Sequence, residues 1–346
     1  MRIILYYIFK FFIKTGLFFY SKRIKINGNE NIPKDGAVLF TANHPNGLID
    51  PILIATHIKR KTHFLVRAAV FKKPIIAYFF DLLGMMPVYR IRDGIKELSK
   101  NEAIFNKCEE LLAKNKTLLI FPEGSHNRKR FIRPLSKGFT RIIFQTLDRN
   151  PKTKLYIIPI GITYQNSSKY PSKVALNFGK AIKVNSYIDN KNRFEVTKTL
   201  KKEVLEQLKQ LTVHITDDNN YKEKLTKLNN ANIDFTEIQE VNKLDLNTTI
   251  TNSKNTFNYF KPLFFLIILN SVIPYTLWKI ASKKIDEIEF FDTFRFGFNI
   301  VLFPVFYILQ SLIINYLFNR KIAIIYLITS FLIVLVYTKL SPTPAE

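Results

Sequence analysis

The sequence predicts an α/β fold: a largely parallel sheet flanked by helices, with an N-terminal interfacial helix and C-terminal transmembrane helices. Three observations predict it. Between residues 37 and 211, short apolar runs alternate with longer amphipathic ones, the pattern of strands joined by crossover helices. The first twenty residues are apolar and aromatic, yet carry Lys10 and Lys14. Beyond Lys261 come three stretches without charge. A net charge of +25 beside 47% hydrophobic residues fits the same division, a basic water-facing part and an apolar membrane part.

The N-terminal segment, Met1–Tyr20, lacks the uninterrupted apolar middle and small-residue cleavage site of a signal peptide. Lys10 and Lys14 share one helical face. The segment therefore reads as a helix in the membrane interface, aromatic residues in the acyl boundary and lysines near lipid phosphates, with a tilted span and a buried soluble helix as the alternatives. Arg2, Lys10, Lys14, Lys22, Arg23 and Lys25 favour an anionic cytoplasmic leaflet, which places the protein at the inner cell membrane. Strands are expected at Ala37–Thr41, Thr62–Val66, Met85–Tyr89, Thr117–Phe121, Leu155–Thr163 and Val174–Phe178. Helices are expected at Val70–Leu83, Gly94–Lys114 (Asp93 as N-cap), Lys137–Leu147 and Arg193–Leu211. Thr212–Asn258 is polar, without Gly or Pro, and reads as short helices or a connector. The implied domains are 1–25, a membrane-interface helix; 26–211, the α/β domain; 212–258, the connector; and 259–340, the membrane region.

In that last region Pro262–Trp278, Phe296–Asn319 and Ile322–Thr338 carry no charge. A span needs about 20 residues, so the middle stretch is long enough and the outer two are marginal. Asn319-Arg320-Lys321 makes the last two a tight hairpin, whose basic turn should face the cytoplasm. Counting back puts Lys279–Arg295 outside and the α/β domain inside; a hairpin that never spans is the alternative. The one cysteine, Cys108, excludes an intrachain disulfide and Cys-rich metal sites, and no histidine cluster has zinc-ligand spacing.

The most informative stretch is Asn43-His44-Pro45-Asn46-Gly47-Leu48-Ile49-Asp50, directly after a strand-like run. It is followed by Gly84-Met85-Met86-Pro87-Val88-Tyr89-Arg90, Phe121-Pro122-Glu123-Gly124-Ser125-His126 and Ile158-Pro159-Ile160. This ordered set resembles the glycerolipid acyltransferases, the family of lysophosphatidic acid and glycerol-3-phosphate acyltransferases, over residues 30 to 185. Two departures stand out. Five residues rather than the family's four separate His44 from Asp50, and His126 stands where many members carry arginine, the nearest being Arg128 and Arg130.

The resemblance implies an alcohol attacking a thioester directly, with His44 as the general base and Asp50 orienting its imidazole. It implies an acceptor site in which Arg90 grips phosphate through its planar fork. Asn43, Glu123, Gly124, Ser125, His126 and Arg128 would line that site. Glu123 would bond acceptor hydroxyls or hold an arginine in place. Arg128, Lys129, Arg130, Arg133 and Lys137 form either a solvated loop or a landing surface for acidic partners. The implied partners are acyl-CoA or acyl carrier protein, lysophosphatidic acid or glycerol 3-phosphate, and membrane lipids. No cofactor or metal is implied. A non-enzymatic lipid-binding membrane protein is the competing class. Nucleic-acid binding rests on charge alone and is opposed by the apolar C-terminal segments.

Overall fold

A computed structural model describes residues 2–71, 74–89, 96, 99–188, 192–216, 218–244 and 257–343. Its centre is one mixed sheet. In chain order the strands are β1 (Arg23–Asn27), β2 (Ala37–Ala42), β3 (Thr62–Arg67), β4 (Met85–Val88), β5 (Thr117–Ile120), β6 (Leu155–Tyr164), β7 (Lys173–Phe178) and β8 (Ile182–Lys183). The order across the sheet is β1-β7-β6-β2-β5-β3-β4, with β8 paired to β6. Strands β6, β2, β5, β3 and β4 run parallel, and β7 turns antiparallel to β6. All six expected strands are present. The sequence reading missed β8, which has two residues, and β1, whose Arg-Ile-Lys-Ile-Asn alternation is a period-2 signal at the sheet edge.

The sheet is covered on both faces, which is why its strands read as continuous apolar runs. From β2, Val38, Phe40 and Ala42 point to one core with Ile54, Leu17 and Phe296. Ala37 and Leu39 point to the other, with Cys108, Leu112, Phe139 and Leu200. The helix Arg193–Leu211 begins where expected, its cap Asn192 accepting from the Phe194 amide at 3.0 Å. The helices Pro74–Leu82, Asn101–Ala113 and Gly138–Arg149 fall within or near their expected spans. Asp93 lies outside the described residues. One helix, Ile49–His57, was not expected; Pro51 sits in its first turn, where a missing N–H costs nothing. Beyond Leu211, the helices Tyr221–Asn230 and Ile238–Lys243 bury Leu228, Phe235 and Val241 against Ala175 of β7.

The N-terminal helix, Arg2–Tyr20, is long and apolar enough to cross a bilayer. It nevertheless touches the α/β domain along its length. Tyr6 lies under the Lys61 ammonium, Lys10 Nζ donates to the Ile58 carbonyl, and Leu17 is buried in the core. Ile3, Ile4, Ile8, Phe11 and Phe18 face outward. The helix thus lies along the domain with an apolar outer face, and Lys10 serves the protein rather than a lipid phosphate.

The first C-terminal stretch is not one straight helix. Lys261–Asn270 and Val272–Ser282 meet at Ser271 with a bend of 97°. Phe264 stacks on Tyr337 at one end of the pair, and Trp278 packs on Phe291 at the other. The helices Phe291–Leu317 and Arg320–Leu340 are both long and apolar enough to cross.

These contacts correct the expected topology. The segment 287–293, expected opposite the α/β domain, packs on it: Arg67 pairs with Glu287 at 3.4 Å and the Leu48 amide donates to Thr293 Oγ1 at 3.0 Å. At the other end of the hairpin, Lys339 Nζ donates to the Ser21 carbonyl at 2.8 Å. Both ends of the hairpin therefore sit at the α/β domain. The helix Phe291–Leu317, about 40 Å long at ~1.5 Å per residue, carries the Asn319-Arg320-Lys321 turn away from it. Loop charge placed Lys279–Arg295 opposite the α/β domain, whereas the contacts of Glu287 and Thr293 place that segment beside it.

In reconstituted vesicles of a Cys108→Ser background, cysteines at Glu287 and at the exposed Lys198 are expected to react with an impermeant thiol reagent from the same side. A cysteine at Asn319 is expected to react from the other. Co-labelling of Asn319 with Lys198 would show that the hairpin does not cross.

Candidate active site

Parallel pairing of β2 with β5 brings their carboxyl ends together, Thr41 opposite Ile120. From β2 the chain enters the loop 43–48 and then the helix Ile49–His57. From β5 it enters Phe121-Pro122-Glu123-Gly124-Ser125. His44 and Asp50 meet in this corner. His44 Nδ1 lies 2.8 Å from Asp50 Oδ2, which also accepts the Asn46 amide at 2.7 Å. Asp50 Oδ1 accepts the Tyr164 hydroxyl at 2.7 Å. The longer His-to-Asp spacing is absorbed because Asp50 stands in the first helical turn, its carboxylate folded back over the loop. Asp50 is fully buried, and burial pushes its carboxyl well above the usual carboxylate range. The Asn46 amide and the Tyr164 hydroxyl oppose that shift, and the helix N-terminus also favours negative charge.

The His44 ring stacks on Phe121 at 3.8 Å between centroids and meets the His126 ring at 4.1 Å. Its backbone carbonyl accepts the Asn127 amide at 2.9 Å, a direct tie between the two loops. With Nδ1 committed to Asp50, Nε2 is the atom that would take a proton from a hydroxyl.

The Glu123 loop is organised by Arg133. Glu123 is the buried partner, 1% exposed, and accepts from Arg133 Nε at 3.0 Å. Arg133 Nη1 donates to Ser125 Oγ at 2.9 Å and Nη2 to the Ser125 carbonyl at 2.5 Å. Of the two roles weighed for Glu123, holding an arginine is the one seen. Burial raises its carboxyl pKa while Arg133 pulls it down. Gly124 has φ of +79°, and a left-handed residue here needs no Cβ.

The other expected site residues divide. Both ends of the Asn43 carboxamide bond the Ile162 backbone, accepting at 2.7 Å and donating at 2.9 Å, so it extends the sheet rather than facing a ligand. Arg128 lines a small cavity beside Asn43 and Pro45, adjoining the His44 loop. Arg130, its neighbour, is buried and donates to the carbonyls of Tyr164 and Gln165, each at 3.0 Å. Arg90 lies outside the described residues. Tyr164 and Phe121 were not singled out beforehand; Tyr164 ends β6 and Phe121 opens the Glu123 loop, a position that could have been read from the shared sheet edge. No group of three or more metal-ligating side chains occurs among the described residues.

Residues 23–163 match the family model described as Acyltransferase. The glycerol-3-phosphate O-acyltransferase 1 of Saccharomyces cerevisiae is 20% identical over 250 residues, covering 48% of this chain and 33% of that protein. The 1-acyl-sn-glycerol-3-phosphate acyltransferase of Borreliella burgdorferi is 23% identical over 170 residues, covering 49% of this chain and 62% of its own. The chain thus spans less than two thirds of either relative. Among solved structures, the 1-acyl-sn-glycerophosphate (LPA) acyltransferase of Thermotoga maritima aligns with a TM-score of 0.42 and 22% identity, over 59% of this chain and 80% of that one.

Three variants test how the corner is held. Tyr164→Phe removes a donor that favours the Asp50 carboxylate, so Asp50 keeps its proton to higher pH. The acid limb of the rate profile should move up, and thermal unfolding should register a loss of about 1–3 kcal/mol. Arg133→Met strands the buried Glu123 charge and should cost on the order of 3–5 kcal/mol. Adding Glu123→Gln should recover much of that loss; a double variant no more stable than the single would show the pair is not the support.

Proposed function

We propose that this chain, whose residues 23–163 match the Acyltransferase family model, is a membrane O-acyltransferase. It transfers a fatty acyl group from acyl-CoA or acyl carrier protein to the hydroxyl of 1-acylglycerol 3-phosphate, giving phosphatidate. The carrying observation is the His44–Asp50 pair at 2.8 Å, at the carboxyl edge of a parallel sheet. The acceptor hydroxyl attacks the thioester carbonyl while His44 Nε2 takes its proton, and Asp50 stabilises the imidazolium. Collapse of the tetrahedral intermediate breaks the carbon–sulfur bond, and the departing thiolate takes the proton from His44. General-base assistance of this kind contributes ~10²–10⁴-fold. The reaction needs no metal or cofactor.

A second observation gives a fatty acyl chain, of donor or acceptor, a place to lie. A cavity of about 870 Å³ lies between the N-terminal and C-terminal helices, walled by Phe19, Phe264, Tyr307 and Phe331. One end reaches Ser168–Tyr170, next to Ser167, whose carbonyl is bonded to Asn46 of the catalytic loop. An apolar chamber of that size suits an acyl chain. Arg90 and Arg128 are the assigned phosphate contacts. The site works on the cytoplasmic side of the inner membrane, where both acyl donors reside, within an α/β domain of 26–211 between the interface helix and the membrane region.

Purified protein in detergent should acylate 1-acylglycerol 3-phosphate faster than glycerol 3-phosphate or lysophosphatidylcholine when offered palmitoyl-CoA or palmitoyl acyl carrier protein. His44→Ala should lose at least ~10²-fold in turnover while still folding and binding membranes. Full turnover in a folded His44→Ala protein overturns the base assignment. A preference for glycerol 3-phosphate overturns the acceptor assignment alone.

A further inference from the structure

The loop 43–48 is held on one side by the α/β domain. On its other side it is held by the first turn of the helix Phe291–Leu317, which lies outside the matched segment 23–163. Asp292 is buried there, 6% exposed. One carboxylate oxygen accepts from the Tyr20 hydroxyl and the Arg295 guanidinium. The other accepts from Asn46 Nδ2 at 3.0 Å. Arg295 Nε also donates to the Tyr20 oxygen at 2.7 Å, closing a ring of three side chains from both ends of the chain. One residue on, Thr293 Oγ1 accepts the Leu48 amide at 3.0 Å. The backbone between is flush against this turn: a Cβ on Gly47 would stand 2.7 Å from the Glu289 carbonyl oxygen and 2.8 Å from Thr293 Oγ1. Phe290 packs edge-on to the His126 ring at 5.1 Å.

Asn46 is the joint. Its side-chain amide is forked between Asp292 and the Ser167 carbonyl, at 3.0 and 3.1 Å, while its own backbone N–H points at Asp50 Oδ2 from 2.7 Å. Fixing the side chain fixes the peptide that fixes Asp50, and Asp50 fixes the His44 ring. Displacements of an ångström at such a site cost rate out of proportion to stability.

We propose that Asp292 and Thr293 are positioning residues for the reaction: the membrane helix Phe291–Leu317 clamps Asn46, Gly47 and Leu48 and so sets the His44–Asp50 geometry. This rests on the reading of His44 as the base. The membrane region is then part of the active-site support rather than an anchor alone. Arg295 has a defined share, since it neutralises Asp292, which otherwise would place a second negative charge near Asp50. The charged and titratable groups facing Asp50 are His44 from its own loop and Tyr164 from β6. Across Asn46 stands the Asp292 carboxylate, whose negative charge also acts on Asp50 and is offset by Arg295 and bonded by Tyr20.

The test uses the full chain in detergent with acyl-CoA and 1-acylglycerol 3-phosphate. Thr293→Val removes the acceptor for the Leu48 amide without changing volume. It should lower kcat at least tenfold with both KM values within twofold, and Thr293→Ser should restore it. Asp292→Asn should move the acid limb of the kcat profile down in pH, because Arg295 is left uncompensated. Arg295→Gln should move it up, and the double variant should return it close to wild type. A clamp with only a folding role would lower the unfolding temperature without moving either limb, and that result overturns the proposal. So does wild-type kcat in Thr293→Val and Asp292→Asn while His44→Ala is inactive. If His44→Ala is active, the base reading itself has failed, which the same assay reports separately.

Discussion

Strand β2 lies between β5 and β6, parallel to both, and this pairing governs everything at the site. Ala37–Ala42 matches β6 residue for residue, and Val38–Thr41 matches β5. A one-residue slip would turn Val38 and Phe40 out of one core and Ala37 and Leu39 out of the other. The register is therefore fixed by burial on both faces. Once it is fixed, His44 must emerge two residues past the strand end, beside the Glu123 loop leaving β5 and beside Tyr164 at the end of β6. The Asn43 carboxamide continues the β2–β6 pairing by one more rung, so the histidine is not carried on a loose loop.

Much of this was legible in the residues. Six strands and the Arg193–Leu211 helix follow from periodicity, because burial of a two-sided sheet leaves apolar runs that turns must interrupt. The pairing of His44 with Asp50 was what the resemblance to the glycerolipid acyltransferases implied, and the two side chains do meet. What could not be read were contacts between distant segments. Arg133 lies among five basic residues that look like a solvated loop, and only the fold shows it turned onto Glu123 and Ser125. Asn43 looked like a ligand-facing amide until β6 was beside it. Tyr164 is an ordinary strand-terminal tyrosine until Asp50 is buried below it. The helix Ile49–His57 was hidden because its first turn carries the motif, and an Asn-Pro-Asn-Gly turn dominates the local signal.

The membrane region shows the same limit more sharply. Hydropathy found its apolar stretches, since each follows from composition. Their arrangement did not follow from loop charge, because the deciding interactions are specific. Arg67 with Glu287, Leu48 with Thr293 and Asn46 with Asp292 tie the start of one helix to the α/β domain. Lys22 and Lys339 tie the end of the next to the domain and to the N-terminal helix. Lysines that looked like surface charge thus serve backbone carbonyls at the junction.

The bend at Ser271 also bears on the order of assembly. Breaking a helix inside hydrocarbon exposes polar groups that lipid cannot satisfy. Here the hairpin answers them: Ser271 Oγ meets the Tyr307 hydroxyl at 2.7 Å, Asn270 Nδ2 donates to Ser330 Oγ at 3.1 Å, and Tyr326 bridges Asn270 and Gln310. Every one of those partners is translated after the bend they stabilise. The polar groups at the bend of the Lys261–Ser282 pair therefore have these partners only once the last two helices are packed against it.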